Sequence, residues 1–90
     1  MIKTINYTSQ FKKDLEKTKK QNRNIKPLKI VIELLVSNSS LPAKLRDHKL
    51  IGNFKNRREC HLETDFLLIY LVKDGELYLE RLGTHSDLFK

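Results

Sequence analysis

The sequence predicts a small α+β domain in which two helices pack on one face of an antiparallel sheet, in the order β-α-α-β-β-β. Two observations support this prediction. Apolar residues recur at helical spacing in the first half of the chain, and three segments of strand length follow, the last two joined by an Asp-Gly turn. A chain of 90 residues has room for one hydrophobic core, so residues 1–90 are expected to form a single domain.

The first two elements are a strand and a lysine-rich helix. Residues 2–7 alternate weakly between apolar and polar side chains, which indicates a short strand. Thr8 and Ser9 are good N-caps, so we expect a helix over residues 10–21, with Phe11 and Leu15 one turn apart on its buried face. Lysines cover most of the remaining surface of this helix: Lys12, Lys13, Lys17, Lys19 and Lys20.

A second helix is predicted after Asn24, which can cap it, with Pro27 tolerated in its first turn. Its apolar positions form a broad stripe at helical spacing, typical of a helix that faces a core: Leu28, Val31, Ile32, Leu35 and Val36. The basic stretch from 43 to 53 is expected to be irregular.

The next two segments have strand patterns. Residues 54–63 alternate, with Cys60 and Leu62 on one parity and His61 on the other. Residues 66–72 are apolar on both parities, as expected of a central strand covered on both faces.

The last predicted elements are a hairpin and a short helical turn. Asp74 and Gly75 favour a tight turn between the strand over 66–72 and a partner strand over 77–82. Gly83 ends that strand, and Thr84 can cap a helical turn that runs to Phe89.

The charge is unevenly distributed. The chain carries 18 Lys and Arg against 11 Asp and Glu, and residues 1–58 hold 15 of the basic and only 4 of the acidic side chains. This asymmetry indicates a polyanionic partner such as nucleic acid, although a solvated surface that maintains solubility gives the same pattern. No apolar run reaches the roughly 18 residues that a membrane span needs. No secretion signal opens the sequence, so we expect a cytoplasmic protein.

Three histidines, His48, His61 and His85, are the main candidates for chemistry, together with Asp65 and Arg81. If the last strands form a meander, the edge of the sheet gathers most of these side chains, and the loop that carries His48 can fold over them. RNA cleavage needs a base for the 2′-OH, an acid for the departing 5′ oxygen and a cation for the phosphorane. Histidine suits either proton-transfer role.

Structural interpretations of the same residues stay open. His48 can be a surface residue, His61 can form a solvated pair with Glu63, Asp65 can serve only the turn, and His85 can cap a helix. No two of the histidines share a local spacing typical of zinc sites, and a single cysteine, Cys60, provides neither a disulfide nor a metal site alone.

Three motifs in the second half of the chain resemble those of one family. They are D-H-x-L-x-G over residues 47–52, R-x-x-H-x-x-x-D over 58–65 and R-x-G-[ST]-H-x-x-L-F over 81–89. Together they resemble the YafQ branch of the RelE superfamily of toxins, and they span about half of the chain. The first half matches in length, order of elements and basic character.

The resemblance implies a toxin of a type II toxin–antitoxin system that cuts mRNA in the ribosomal A site and has the β-α-α-β-β-β fold. It implies acid/base roles for His48, His61, Asp65 and His85, with His85 as general acid, Asp65 or His48 as general base and His61 as an orienting or relaying group. The residues expected to contact phosphate or RNA are Arg81, Phe66, Phe89, Arg57, Arg58 and Lys55, with Phe66 and Phe89 as aromatic contacts.

The resemblance also implies partners and chemistry. A cognate antitoxin, the ribosome with its rRNA, and mRNA are the expected partners, and the free protein is expected to be a monomer. No metal or cofactor is expected, because the 2′-OH of the RNA itself serves as the nucleophile and leaves a 2′,3′-cyclic phosphate. Two alternatives remain: a ribosome- or RNA-binding module that does not cleave, and a gyrase poison of the sibling ParE branch.

One feature of the sequence conflicts with this site. Arg81 shares parity with Leu77 and Leu79, so it faces the site only if the parity changes near the end of the strand or a β-bulge intervenes.

Overall fold

The computed structural model describes residues 2–50 and 56–89. Three helices and a five-stranded mixed sheet make up this part of the chain, which confirms the predicted fold. In chain order the elements are β1 (Thr4–Tyr7), α1 (Ser9–Lys20), α2 (Lys26–Val36), a 3-10 turn (Ala43–Leu45), β2 (His48–Lys49), β3 (Arg58–Glu63), β4 (Phe66–Lys73), β5 (Glu76–Gly83) and α3 (His85–Leu88).

The strand order is β1-β5-β4-β3-β2, and only the four strands from β2 to β5 are antiparallel. The expectation of a wholly antiparallel sheet is corrected at β1, which pairs with β5 in parallel. Sequence neighbours joined by tight turns pair antiparallel, whereas β1 reaches β5 only after both helices and three strands intervene. The segment expected to be irregular also contains the 3-10 turn and β2. β3 begins at Arg58, and residues 54 and 55, where this strand was expected to start, lie outside the described residues.

Local signals account for the element boundaries. Thr8 caps α1 by accepting the backbone N–H of Phe11 at 3.0 Å, as predicted. At α2 the cap position is Ile25, one residue later than expected, and the Asn24 side chain accepts the backbone N–H of Lys26 at 3.0 Å. The turn between β4 and β5 places Asp74 and Gly75 at positive φ, 52° and 77°, which suits a tight hairpin.

The core lies mainly between the sheet and the two longer helices. It is formed by Phe11 of α1, Leu28 and Val31 of α2, and the strand residues Cys60, Leu62, Phe66, Leu68, Tyr70, Leu77, Leu79 and Leu82. A second, smaller apolar cluster lies on the opposite face of the sheet, where Leu67 and Ile69 pack with Leu88 of α3 and with Leu50. We call this opposite face, which carries Leu67 and Ile69, the site face.

A β-bulge in β5 changes which residues reach the site face. Tyr70 pairs with Leu79 but the preceding residue, Ile69, pairs with Arg81, so Glu80 is the extra residue. Residues directly opposite each other in an antiparallel pair point to the same side, and Arg81 therefore shares a face with Ile69. The bulge explains how Arg81 reaches the site face although it shares sequence parity with the core residues Leu77 and Leu79.

No helix within residues 2–50 and 56–89 is long and apolar enough to span a membrane.

Candidate active site

The candidate residues lie on the face of the sheet that carries Leu67 and Ile69, where β2, β3 and the start of α3 meet. His48 on β2 pairs with Glu59 on β3, and His61 follows Glu59 at the next position of the same parity. His85 is the first residue of α3, directly after its cap, Thr84. Strand alternation and one helix start therefore bring all three histidines to one face.

Asp65 and His85 form a hydrogen-bonded pair. The Asp65 carboxylate, in the turn between β3 and β4, accepts the backbone N–H of His85 at 3.0 Å and the ring Nδ1–H at 2.8 Å. A carboxylate only accepts, so Nδ1 carries a proton and Nε2 is left to exchange one. The backbone bond, and then the ring bond, holds the pKa of Asp65 below its usual range.

Glu59 is a site residue that the sequence analysis missed. It is buried, and its Oε2 lies 3.2 Å from Nε2 of His61 and 3.4 Å from Nε2 of His48. The sequence does contain one signal for Glu59. It lies two positions before His61, so its carboxylate and the imidazole share one face of the strand.

The ring of His48 is also held through its second nitrogen, Nδ1. Its Nδ1 lies 2.8 Å from the carbonyl oxygen of Arg46, which can only accept, so Nδ1 donates. Arg46 adopts the left-handed conformation with φ of 50°, at the end of the 3-10 turn. A non-glycine residue in this region stores strain, which is characteristic of functional sites.

The rings form a row across the site. The centroids of His48 and His61 lie 6.3 Å apart, those of His61 and His85 5.7 Å, and those of His85 and Phe89 6.0 Å. His61 is only 8% exposed, whereas the side chains of His48 and His85 are about half exposed, at 52% and 51%. The four residues predicted to be catalytic therefore lie together, and Phe89 lies beside them.

Arg81 is held by α1. Its Nε lies 2.9 Å from Oδ2 of Asp14, and its Nη2 lies 3.4 Å from Oδ1. The buried Asp14 also accepts the backbone N–H of Leu82 at 3.0 Å and an amide N–H of Gln10 at 3.1 Å. Asp14 thus ties the first helix to the strand that precedes His85.

The expectation that Phe66 stacks on a base is corrected. Its ring is 3% exposed and packs in the core on the helix side of the sheet. The guanidinium of Arg23 lies over the ring at 4.3 Å, so a cation already occupies the accessible side.

The other predicted RNA-binding cations are engaged in ion pairs or lie outside the described residues. Arg57 contacts Glu80 at 3.4 Å. Arg58 binds Asp47 through Nη2 at 2.8 Å and Nε at 3.1 Å, so its described contacts are structural. Lys55 lies outside the described residues.

Asp47, in the first motif, anchors the segment that carries His48. Besides Arg58 it binds the hydroxyl of Tyr70, which donates to Oδ1 at 2.6 Å. Burial and, secondarily, this hydrogen bond raise the pKa of Tyr70 above its usual range. The network joins the chain before β2 to β3 and β4 on the helix side, while His48 points to the site face.

Three side chains could hold a metal ion. One donor atom each from Glu59, His61 and His85 lie within 4.8 Å of one another. The carboxylate and the two imidazoles form a ligand set of the kind that binds zinc and related ions.

The chain is similar over almost its whole length to known proteins. A family described as "Bacterial toxin of type II toxin-antitoxin system, YafQ" matches residues 3–90. The mRNA interferase toxin YafQ of Escherichia coli K12 is 41% identical over 86 residues, which cover 94% of each chain.

Two solved structures share the whole fold. The toxin chain in the E. coli DinJ–YafQ toxin–antitoxin complex is 38% identical, with a TM-score of 0.92 and coverage of 100% of both chains. A metal-bound toxin from Helicobacter pylori is 42% identical, with a TM-score of 0.91, and the match covers 99% of this chain and 100% of that one.

Proposed function

The chain belongs to the YafQ family of bacterial type II toxin–antitoxin toxins, and on that premise we propose that it is an endoribonuclease that cleaves mRNA in the ribosomal A site. The observation that carries the proposal is that two half-exposed and oriented histidines, His48 and His85, lie on one face with the ring of His61 between them, 6.3 Å from the first ring and 5.7 Å from the second. Two oriented proton-transfer groups on one exposed face are what cleavage by 2′-OH attack needs.

His85 is the proposed general acid. Asp65 accepts Nδ1–H and fixes the ring, which leaves Nε2 as the nitrogen that delivers a proton to the departing 5′ oxygen. About half of the side chain is exposed, so an RNA strand can reach it.

His48 is the proposed general base. Asp65 was the alternative, but the bonds that lower its pKa make it a weaker base and give it an orienting role. The exposed His48 can take the 2′-OH proton at Nε2, since Nδ1 donates to the carbonyl of Arg46. The buried His61 and Glu59 hold the centre of the site between base and acid.

Arg81 and Phe89 are the proposed substrate contacts. A guanidinium has five N–H donors, and Asp14 uses two of those on Arg81, so a phosphate can share the group with Asp14. Phe89 is 40% exposed beside His85, where an aromatic ring can stack on a base.

The proposed partners follow from charge and from the relatives. The lysine-rich face of α1 suits rRNA phosphates. Because the E. coli relative was solved with DinJ, we propose a cognate antitoxin for this chain, and the formal charge of +7 favours an acidic, partly disordered segment of it. A monomeric, cytoplasmic free toxin is part of the same proposal.

Catalysis is proposed to be metal-independent, since histidine, aspartate and the 2′-OH supply every proton transfer. A relative from H. pylori was solved in a metal-bound form, so activity is to be measured with and without a chelator. Undiminished cleavage is the expected result in excess of a chelator that is selective for transition metals and leaves the Mg²⁺ of the ribosome in place, and loss of cleavage would contradict it.

Expression of the chain without an antitoxin, followed by primer extension on an abundant mRNA with translation running or blocked, tests the function. We expect in-frame cuts that depend on translation, and their loss in His85→Ala but not in Glu63→Gln, an exposed residue that pairs with Arg23. Growth arrest without cuts would favour a gyrase poison or a non-cleaving ribosome binder.

A further inference from the structure

We propose that a basic pocket between α1 and the end of β5 binds the RNA phosphate that follows the first nucleotide downstream of the cut. The inference rests on the proposed nuclease function, because it takes RNA as the substrate and His85 as the general acid. It adds a second binding position for the substrate and a direction in which the strand crosses the site.

The pocket lies at the edge of the sheet, where β5 extends past β1. The pairing of β1 with β5 ends at Leu79, and α1 covers the edge of β5 beyond that point. There the buried Asp14 accepts the backbone N–H of Leu82 at 3.0 Å. The pocket has a volume of about 270 Å³, which is sufficient for a phosphate group and part of its ribose.

One side of α1 forms the helix wall of the pocket. Its lining residues recur at intervals of three or four positions, so they share one side of the helix: Gln10, Lys13, Asp14 and Lys17. Lys12 carries the same charge as its neighbour but lies on the opposite side of α1, outside the pocket. The lysines of this helix therefore divide into those that face the pocket and those that do not.

The pocket is cationic. It is lined by the basic side chains of Lys13, Lys17, Arg23 and Arg81 and by the carboxylates of Asp14 and Asp87. Arg23 pairs with Glu63 at 3.1 Å, so the other three cations remain for a ligand. Both lining carboxylates accept hydrogen bonds from protein donors, which offset their repulsion of an anion. The excess of cations favours an anionic ligand.

The cations retain donors for a phosphate. Within residues 2–50 and 56–89, the side chain of Lys13 has no ion pair or hydrogen bond. Arg81 uses two of its five N–H donors on Asp14, which leaves three. Lys17 contacts Asp87 at 3.4 Å in an exposed pair, and such pairs are weak enough in water to exchange partners. Phosphate oxygens accept charge-assisted hydrogen bonds from all three.

The pocket adjoins the acid end of the histidine row. His85 lies between Thr84 and Asp87 in the sequence, and both of these line the pocket. In the described part of the chain, β2 and β3, which carry His48 and His61, contribute no lining residue. Attack by the 2′-OH frees the 5′ oxygen of the downstream nucleotide, which is the atom that His85 protonates. The next phosphate of the strand therefore lies towards the pocket, and the upstream nucleotide lies towards His48.

Binding of three dinucleotides to the purified full chain at low salt, followed by NMR, tests the pocket. All three lack the 2′-OH on the first nucleotide and cannot be cleaved. One has no terminal phosphate, one carries a 3′-phosphate and one carries a 5′-phosphate of the same charge. We expect the 3′-phosphate alone to tighten binding, by about three- to ten-fold, and to shift the amide signals around Lys13 together with the ring signals of His85.

Two variants locate the bound phosphate. Lys13→Gln removes a cation from the pocket and should abolish most of the preference for the 3′-phosphate. Lys12→Gln makes the same change on the opposite side of α1 and should retain the preference. Both lysines are exposed, so both variants should fold as the unaltered chain does, which circular dichroism checks.

Equal affinity for the three dinucleotides, or no detectable binding of any of them, would overturn the pocket, as would equal losses in Lys12→Gln and Lys13→Gln. A preference for the 5′-phosphate would refute the direction of the strand. Inorganic phosphate should bind more weakly than the 3′-phosphorylated dinucleotide, and equal affinity would indicate a site for free phosphate instead. Cleavage is read separately by primer extension, so a preference for the 3′-phosphate without in-frame cuts would support the pocket and count against the proposed nuclease alone.

Discussion

Asp47→Ala is the substitution for which the structure gives the sharpest stability prediction. It leaves the hydroxyl of Tyr70 without its 2.6 Å acceptor, and Tyr70 is only 2% exposed. An unsatisfied buried donor costs about 1–3 kcal/mol, and loss of the partly exposed Arg58 pair adds at most about 1 kcal/mol. We therefore expect the free energy of unfolding to fall by about 1–4 kcal/mol.

Tyr70→Phe is the matched control, because it removes the donor and leaves the Asp47–Arg58 pair in place. Its expected cost is about 1 kcal/mol. Urea denaturation gives both values, and about 1 kcal/mol corresponds to roughly 4–8 °C in Tm for a domain of this size. If Asp47→Ala costs no more than Tyr70→Phe, the buried hydroxyl is satisfied in another way and the reasoning fails. Because His48 follows Asp47 directly, the same variant should also lose cleavage activity.

Three further predictions concern the turn before β4 and the short helix α3. Thr84→Ala removes the cap that forms a reciprocal pair with Asp87 and should cost about 1 kcal/mol in urea denaturation. Gly83→Ala places a Cβ 3.1 Å from the Cβ and Oδ2 of Asp87, so α3 must shift; we expect about 1–3 kcal/mol of destabilisation and a changed NMR signal for the ring of His85. The pKa of Asp65 is lowered in the folded state, so its carboxylate stabilises the fold above the unfolded pKa, and this contribution is lost as the pH falls through the folded value. Asp65→Asn should therefore flatten the pH dependence of stability below about pH 4, and an unchanged slope would contradict the assignment.

Local patterns predicted most of the elements. The caps at Thr8 and Thr84 and the Asp74–Gly75 turn depend on a few neighbouring residues, and each appears where the sequence placed it. The parallel pairing of β1 with β5 was not predictable in this way, because alternation reports which face a residue occupies and not which strand lies beside it.

The site was also predictable only in part, because motifs identify residues whereas tertiary packing decides which of them are exposed. The family motifs identified the histidines and Asp65, and the structure places them together. Phe66 was misjudged, since an aromatic residue at the start of a strand can face either side, and only packing against α1 and α2 makes it core. Glu59 was overlooked because a charged residue in a strand is usually solvated, whereas here two imidazoles allow it to be buried.

The parallel pairing of β1 with β5 also has a consequence during protein synthesis. The hydroxyl of Thr4 in β1 donates a hydrogen bond to the carboxylate of Glu76 in β5, 72 positions later in the sequence. β1 therefore cannot join the sheet until β5 has left the ribosome. His85 lies two residues after the end of β5, so a chain interrupted earlier has neither the complete sheet nor the proposed general acid. Every nonsense mutation before β5 should therefore give a harmless fragment. Almost the whole domain must therefore be translated before the toxin can act, and the cell can supply the antitoxin during that time.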